Sequence, residues 1–362
     1  MGEKHMVRFE PVGVEIEVDE EETILDAAFR HGVMLMHGCK EGQCSACKSF
    51  LLDGDLEMGR FSTFALNETE EEEGYVLLCK SHAYSDLEVE LLSYHEDMLN
   101  TGIPIQLVFA EVGEIEDLTH DIKRLVLKLV DPPEMNFKPG QYAEIYIPGT
   151  DTHRAYSMAN TPSSDDRAEF IIKIYPGGRF SGLLDGELSV GDKMKIKVPF
   201  GMFMLHEKSE ADIVFVGGGS GMAPIWSILN HMVEKSIDRK ATFYYGARTE
   251  KDLFFLDELA AMEQKLPDFR FVPALSEPDE DGDWEGETGV ITDVVGRLEG
   301  DLGGTEAYLA GPPPMIDAAI PVLQMKGVDE EHIYFDKFTT TGESEGSEQK
   351  EEAGPRFPGP AG

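Results

Sequence analysis

Four cysteines stand in a chain of 362 residues, and all of them fall between positions 39 and 79. Cys39, Cys44 and Cys47 are spaced C-x4-C-x2-C in GCKEGQCSACK, and Cys79 follows far downstream. Thiolates are soft metal ligands, and this is a spacing in which four of them hold two irons bridged by sulfide. Three ligands on one short loop must converge on the metals. Such a loop needs residues of little bulk that accept unusual dihedrals and turn backbone N–H groups toward sulfur, and Gly38, Gly42, Ser45 and Ala46 supply them. A structural zinc site ordinarily takes two C-x2-C pairs, whereas here the first two cysteines are four residues apart and the last stands alone. A secreted disulfide scaffold would pair its cysteines across a shorter chain. The expectation is a two-iron, two-sulfide cluster on Cys39, Cys44, Cys47 and Cys79, in a reducing compartment.

Two further segments could bind flat or phosphorylated ligands. HRAYSMAN at 153–160 joins a cation, an aromatic ring and a hydroxyl: Arg154 could meet a phosphate, Tyr156 could stack on a planar ring and Ser157 could hydrogen-bond a ring nitrogen. Alone, an exposed Arg and a core Tyr explain the tetrapeptide as well. FKPGQYAEI before it and GGRFSGLL at 177–184 after it strengthen the ligand reading, because Gly177, Gly178 and Ser181 then stand at the start of an expected helix, where N–H groups and a hydroxyl can meet a pyrophosphate. In DIVFVGGGSGMAPIWSIL a strand, a glycine turn and a helix succeed one another. Gly219, Gly221 and Pro224 make G-x-G-x-x-P, which lets the backbone approach a second pyrophosphate, although a purely structural strand-to-helix turn would also use it.

The rest of the chain supplies the scaffold for these residues. VRFEPVGVEIEV at 7–18 alternates about Gly13 as a hairpin, Thr23 caps ILDAAFRHG as a helix ended by Gly32, and GCKEGQCSACKSFLLDGD is expected as a loop. NETEEEE at 67–73 is a solvated acidic run, and VLLC and LEVELLSY return to strand character. From Ile105 to about Val198, IQLVFAEV, IKRLVLKLV, YAEIYIP, EFIIKIY and KMKIKVP are short strands between Gly, Pro and Asp turns, the pattern of a small antiparallel barrel. After Asp212 strands alternate with helices, LFFLDELAAMEQKL among them, which implies a parallel sheet covered on both faces. The expected organisation is 1–98, a linker at 99–104, 105–208, 209–338, and a disordered acidic tail at 339–362.

Composition excludes other classes of function. The chain carries 70 Asp and Glu against 31 Lys and Arg, a net charge of −39, so nucleic acid and anionic lipid surfaces are not expected partners. Residues 1–100 hold 23 of the acids and 7 of the bases, a net of −16. The N-terminus is too polar for a secretory signal and no run reaches the roughly 18 apolar residues of a spanning helix, so a cytoplasmic monomer is expected. His31 and His37 flank the cysteine loop, but with four cysteines available they are read as packed or solvated, and the HGVMLMHG methionines as packing.

GCKEGQCSACK with Cys79 resembles the ferredoxin domain of multi-domain oxygenase reductases over residues 7–95. F-x-P-G-Q-Y, R-x-Y-S and G-G-x-x-S resemble the ferredoxin-NADP reductase superfamily, as do YYGARTEKDLFF at 244–255 and YLAGPPPMI at 308–316. The resemblance implies a β-grasp 2Fe-2S domain, a β-barrel FAD domain and an α/β NAD-binding domain. It implies that Arg154, Tyr156 and Ser157 contact FAD, with Lys173, Gly178 and Ser181 near its ribityl-diphosphate. It also implies that Gly219, Gly221, Pro224, Arg248, Gly311 and Pro312 bind the nicotinamide nucleotide, and that Phe338 of IYFDKF lies against the flavin. Ser157 and Phe338 are the candidates for a catalytic role. Many relatives carry a cysteine where Ala310 stands, so a thiol beside the nicotinamide is not expected here. NADH is favoured over NADPH because Arg248 is accompanied by Glu250 and Asp252.

The domain order resembles the reductase components of soluble di-iron monooxygenases, such as methane, propane and phenol hydroxylase systems, over residues 7–338. By that resemblance NADH, FAD and the 2Fe-2S cluster form an electron path to a hydroxylase component, met through an acidic ferredoxin face, with the alkane-oxidising branch, and propane especially, as the expected system. A Rieske dioxygenase reductase would share every motif. The attached ferredoxin argues against a stand-alone NADH-dependent ferric or quinone reductase, and the flavin and nicotinamide motifs argue against a non-catalytic electron carrier.

Overall fold

The computed structural model describes residues 2–94, 99, 102–279 and 282–338, and 356–358 for the backbone alone. Among the described residues the chain forms two compact units: one of residues 2–106 with Phe200–Met202 and 356–358, the other of Leu107–Pro199 with residues 203–338.

The first unit is built on β1 (Lys4–Glu10), β2 (Val14–Asp19), α1 (Ile24–Arg30), β3 (Lys48–Asp53), β4 (Asp55–Met58), α2 (Glu68–Glu73), β5 (Tyr75–Leu77), β6 (Ser81–Ala83) and β7 (Leu87–Leu91). A five-stranded mixed sheet runs β2-β1-β7-β3-β5, with β1 antiparallel to β2 and parallel to β7. With a helix laid on that sheet, this is the expected β-grasp. Thr23 caps α1 by accepting from the Asp26 N–H, and Ile24, Leu25, Ala27, Ala28 and Phe29 are buried. One element differs from the sequence reading, and another, solvated as expected, is further ordered into a helix. Lys48–Asp53 is a strand, not loop, because Ser49 and Leu51 alternate into the core. The acidic run is a helix closed by a capping box between Asn67 and Glu70 and ended by Gly74 in the left-handed conformation, so local capping overrides the repulsion of its carboxylates.

The second unit begins with β8 (Gln106–Asp117), β9 (Ile122–Asp131), β10 (Tyr142–Tyr146), β11 (His153–Ser157), β12 (Arg167–Lys173) and β13 (Lys193–Phe200), ordered β11-β10-β13-β8-β9-β12. A bridge between Met158 and Phe170 nearly closes this antiparallel sheet into a barrel, whose interior is filled by Val108, Leu125, Ile145, Phe170, Ile196 and their neighbours. The expected helix after GGRF is a short 3₁₀ turn, Ser181–Asp185; Gly186 ends it in the left-handed conformation before an α-helix can propagate.

Beyond the barrel come β14 (Ile213–Gly218), α3 (Met222–Lys235), β15 (Ala241–Ala247), α4 (Leu256–Met262), β16 (Phe269–Leu275), β17 (Glu287–Thr288), α5 (Ile291–Leu298), β18 (Glu306–Gly311), α6 (Pro313–Met325) and β19 (Ile333–Lys337). The sheet β17-β16-β15-β14-β18-β19 is parallel throughout, and the strand order reverses between β14 and β18. Barrel and sheet share a core in which Ile122, Ala159, Ile171 and Phe203 pack with Ile225, Ile228 and Phe243.

Of the linker expected at 99–104, residues 99 and 102–104 are described, and 102–104 are in neither helix nor strand; the tail expected at 339–362 lies outside the described residues except for 356–358. In the tail, β20 (Arg356–Pro358) departs from the expectation of disorder, pairing antiparallel with β4. Among the described residues no helix is long and apolar enough to cross a membrane.

Candidate functional site

The cysteine loop brings its four sulfurs into two contacting pairs. Cys39 is exposed, Cys44 half-buried, and Cys47 and Cys79 buried. The Cys44 thiol donates to Cys39 and the Cys47 thiol to Cys79, which drives Cys39 and Cys79 toward the thiolate and raises Cys44 and Cys47. Coulombic coupling also links Cys39 with Cys79 and Cys44 with Cys47, so all four form one group.

Backbone N–H groups converge on the sulfurs. Gln43 and Glu41 donate to Cys39 Sγ at 3.2 and 3.4 Å, Cys39 N–H donates to Cys44 Sγ at 3.3 Å, and the N–H groups of Ala46 and Gly42 serve Cys44 and Cys79. A nest of donors around four soft sulfurs fits an anionic iron–sulfur cluster. Gly42 permits this winding: its φ is +68°, and a Cβ there would lie 2.8 Å from Phe61 Cβ. Beside the loop, burial lowers His37 to about 4, so that imidazole stays neutral, packed edge-on to Phe29.

The second constellation lies where the barrel meets the carboxyl ends of β14, β18 and β19. HRAYS is itself the strand β11, in register with β10, so that Arg154 and Tyr156 lie opposite Ile145 and Ala143 while Ser157 lies opposite Tyr142. Arg154 donates to its neighbour's carbonyl, His153 O, at 2.8 Å, and among the described residues forms no ion pair. Tyr156 packs 5.4 Å from the Phe180 ring, and burial raises its phenol.

Ser157 Oγ donates to Asp336 Oδ2 at 2.8 Å. Desolvation pushes the Asp336 carboxyl up to about 6 despite that hydrogen bond, and Asp336 in turn adds to the burial that raises the Tyr142 phenol. Asp336 lies next to Ala310 in the register of β19 on β18, and the Phe338 N–H donates to Gly311 O at 2.9 Å. The structure thus ties Phe338 to Gly311 through the backbone at the end of β19, and joins Ser157 to a carboxylate of the same strand that belongs to none of the motifs. An acid inside the apolar strand IYFDKF, at the end of the last parallel strand, was its visible signal.

The glycine turn packs on the same corner. A Cβ on Gly221 would fall 2.0 Å from Ala310 O, so only glycine lets the turn seat against the end of β18. Pro224 is buried in the first turn of α3, whose N-cap Gly221 offers no side-chain bond, leaving the leading N–H groups to another acceptor. This helix start stands at the reversal of strand order, where open parallel sheets form a ligand crevice. Arg248, at the end of β15, is exposed and without an ion pair among the described residues; Pro312 N-caps α6.

Three expected ligand residues are engaged within the protein. Lys173 Nζ pairs with Asp121 Oδ2 at 2.6 Å, Ser181 Oγ accepts from the Tyr175 N–H at 3.2 Å, and the Gly178 N–H donates to Tyr175 O at 2.9 Å. Asp252 is held by Thr249 in the first turn after β15, through bonds of 2.9 Å from both its N–H and its hydroxyl.

Family models match three consecutive parts of the chain: a 2Fe-2S iron-sulfur cluster binding domain at 7–84, an oxidoreductase FAD-binding domain at 110–205 and an oxidoreductase NAD-binding domain at 215–320. The chain is 52% identical over 344 residues to the reductase component of propane 2-monooxygenase from Mycolicibacterium smegmatis, covering 94% of this chain and 99% of the relative. It is 36% identical to the reductase component DmpP of phenol 2-monooxygenase from Pseudomonas sp. strain CF600, covering 95% and 97%. Among solved structures, the Amycolatopsis cytochrome P450 reductase GcoB superposes with a TM-score of 0.82 at 30% identity, over 93% of this chain and 99% of that one.

Proposed function

The chain belongs to the reductase components of multicomponent monooxygenases, and from that premise we propose that it carries electrons from NADH through FAD and a 2Fe-2S cluster to the hydroxylase component of a di-iron monooxygenase acting on propane. The observation that carries the electron-transfer reading is the convergence of four cysteine sulfurs under backbone N–H groups. The propane assignment rests on the near-full-length relative at 52% identity.

Cys39, Cys44, Cys47 and Cys79 would hold the two irons, with Gly42 shaping the loop around them. Bound flavin supplies the exchange between a two-electron donor and one-electron acceptors. Arg154 and the Tyr156 ring would fix the flavin's phosphate and ring plane, with Lys173, Gly178 and Ser181 nearby. For Lys173 this requires sharing its ammonium between Asp121 and a phosphate. Gly219, Gly221, Pro224 and the start of α3 would seat the dinucleotide pyrophosphate, with Arg248, Gly311 and Pro312 about the rest of the nucleotide. NADH is the expected donor because the cations Arg248 and Lys251 are offset by Glu250 and Asp252, which oppose a 2′-phosphate.

Ser157 and Asp336 form the proton-bearing corner of the reaction. With Asp336 ionised, the serine proton is directed to its carboxylate; with Asp336 protonated, the carboxyl donates and the serine hydroxyl is released to turn toward a ring nitrogen. Phe338 would close that corner against water. We place the protein in the cytoplasm as a monomer. The test is anaerobic reconstitution with NADH and a purified propane 2-monooxygenase hydroxylase: NADH-dependent reduction of the hydroxylase supports the reading, and a reductase that is reduced by NADH yet never passes electrons to that hydroxylase contradicts the partner assigned.

A further inference from the structure

Beside the cysteine loop the first unit presents a large apolar side chain to solvent. Phe64 is 96% exposed, while its neighbours Ala65 and Leu66 are completely buried. An aromatic ring gains nothing for folding in that position, and it is not displayed by a loose loop. The Ser62 N–H donates to Gly42 O at 2.8 Å, the Ala65 N–H to Ser62 O at 2.9 Å and the Phe64 N–H to Ser62 Oγ at 3.2 Å. Ser45 Oγ, within the cysteine loop, donates to Ala65 O at 3.0 Å. The turn bearing Phe64 is therefore tied at Gly42 and at Ser45 to the loop that carries three of the cysteines. A ring fixed in this way reaches a partner with little further loss of conformational entropy.

The helix directly after this turn indicates the chemistry of that partner. It is α2, and it carries Glu68, Glu70, Glu71, Glu72 and Glu73 without a basic residue. Glu70 is paired with Lys48 at 2.7 Å, but among the described residues Glu68, Glu71, Glu72 and Glu73 form no ion pair. Partial burial, together with Glu68 and Glu72, raises Glu71 above its ordinary value, so the helix holds unrelieved like charge. Charge of one sign beside an exposed aromatic suits an interface in which the charges guide approach and the ring supplies affinity.

We propose that Phe64, rimmed by the acidic face of α2, is the anchor by which the first unit docks on the electron-accepting hydroxylase component, entering an apolar pocket bordered by Lys and Arg. This rests on the function proposed above and adds to it the residue and the surface. Because the turn is bonded to the cysteine loop, seating Phe64 brings the partner against the place from which electrons leave.

The test uses the full-length holoprotein with the hydroxylase component of the Mycolicibacterium smegmatis propane 2-monooxygenase as probe. Phe64→Ala weakens binding about tenfold or more, as loss of a buried aromatic anchor does, and Phe64→Leu restores part of it. NADH-driven reduction of ferricyanide stays at the wild-type rate, and so does thermal stability, since the ring contributes nothing to the core. Replacing Glu68, Glu71, Glu72 and Glu73 by Gln lowers the association rate and flattens its dependence on ionic strength. Unchanged affinity in Phe64→Ala, with wild type binding, overturns the proposal alone. So does a phenotype confined to self-association, which would make a second copy the occupant. Wild-type protein that fails to bind the hydroxylase overturns the partner assignment and this anchor together.

Discussion

Replacing Asp336 by Asn separates the electrostatics of the Ser157 corner from its packing. Burial raises the carboxyl from 3.8 to about 6. At 1.36 kcal/mol per unit, that difference of about two units is worth about 3 kcal/mol. The folded state holds this proton more tightly than the unfolded chain does. The group's contribution to stability is therefore fully present below about pH 4 and is lost as pH rises through about 6. At pH 8 the ionised carboxylate costs the fold about 3 kcal/mol, and near pH 4 it costs little. Asn removes the charge and keeps an oxygen to accept from Ser157 Oγ, now 2.8 Å from Asp336. Asp336→Asn is expected to be more stable than wild type by roughly 2–3 kcal/mol at pH 8 and nearly equal to it at pH 4. Urea unfolding followed by tryptophan fluorescence reads this directly, because both tryptophans, Trp226 and Trp284, lie in the unit that contains Asp336. The same variant loses the inflection near pH 6 in the rate of flavin reduction by NADH. Equal stability differences at pH 4 and pH 8, or a variant less stable at pH 8, refute the reasoning.

Other substitutions probe the remaining supports. Gly221→Val places carbon atoms against Ala310 O, where even a Cβ would stand at 2.0 Å; NADH KM should rise at least about tenfold with flavin content unchanged. Gly42→Ala forces a Cβ to within 2.8 Å of Phe61 Cβ at a φ of +68°; iron per protein after purification should fall while the flavin is retained. Arg239 and Glu306 form a buried pair at 2.8 Å. Arg239→Met alone should cost about 3–5 kcal/mol in urea unfolding, and adding Glu306→Leu should recover most of it, because the loss comes from an uncompensated buried charge.

The residues that obey a local rule are legible in the chain itself. Thr23 capping α1, the glycine turn ahead of α3 and the small residues of the cysteine loop each satisfy backbone needs within a few positions, so spacing alone reveals them. Lys48–Asp53 escaped because its alternation is short and comes after a loop without periodicity. The acidic run is solvated as expected, with no buried residue, but its helix depends on the Asn67 and Glu70 capping box. Ser181 opens a 3₁₀ turn in place of the expected helix, because Gly186 stops it after five residues. Asp336 and the Lys173–Asp121 pair depend on contacts between segments far apart in the chain, which no motif records.

The central claim is an ordered path from NADH through flavin to a cysteine-held cluster and out to a protein acceptor. Anaerobic stopped-flow mixing of NADH with wild type and Cys44→Ala, in the presence of the hydroxylase, tests it most directly. Wild type should bleach its flavin, develop reduced iron–sulfur absorbance and reduce the hydroxylase, whereas Cys44→Ala should bleach its flavin at a similar rate and pass nothing on. A colourless zinc protein, or a Cys44→Ala variant that still reduces the hydroxylase, would contradict the account.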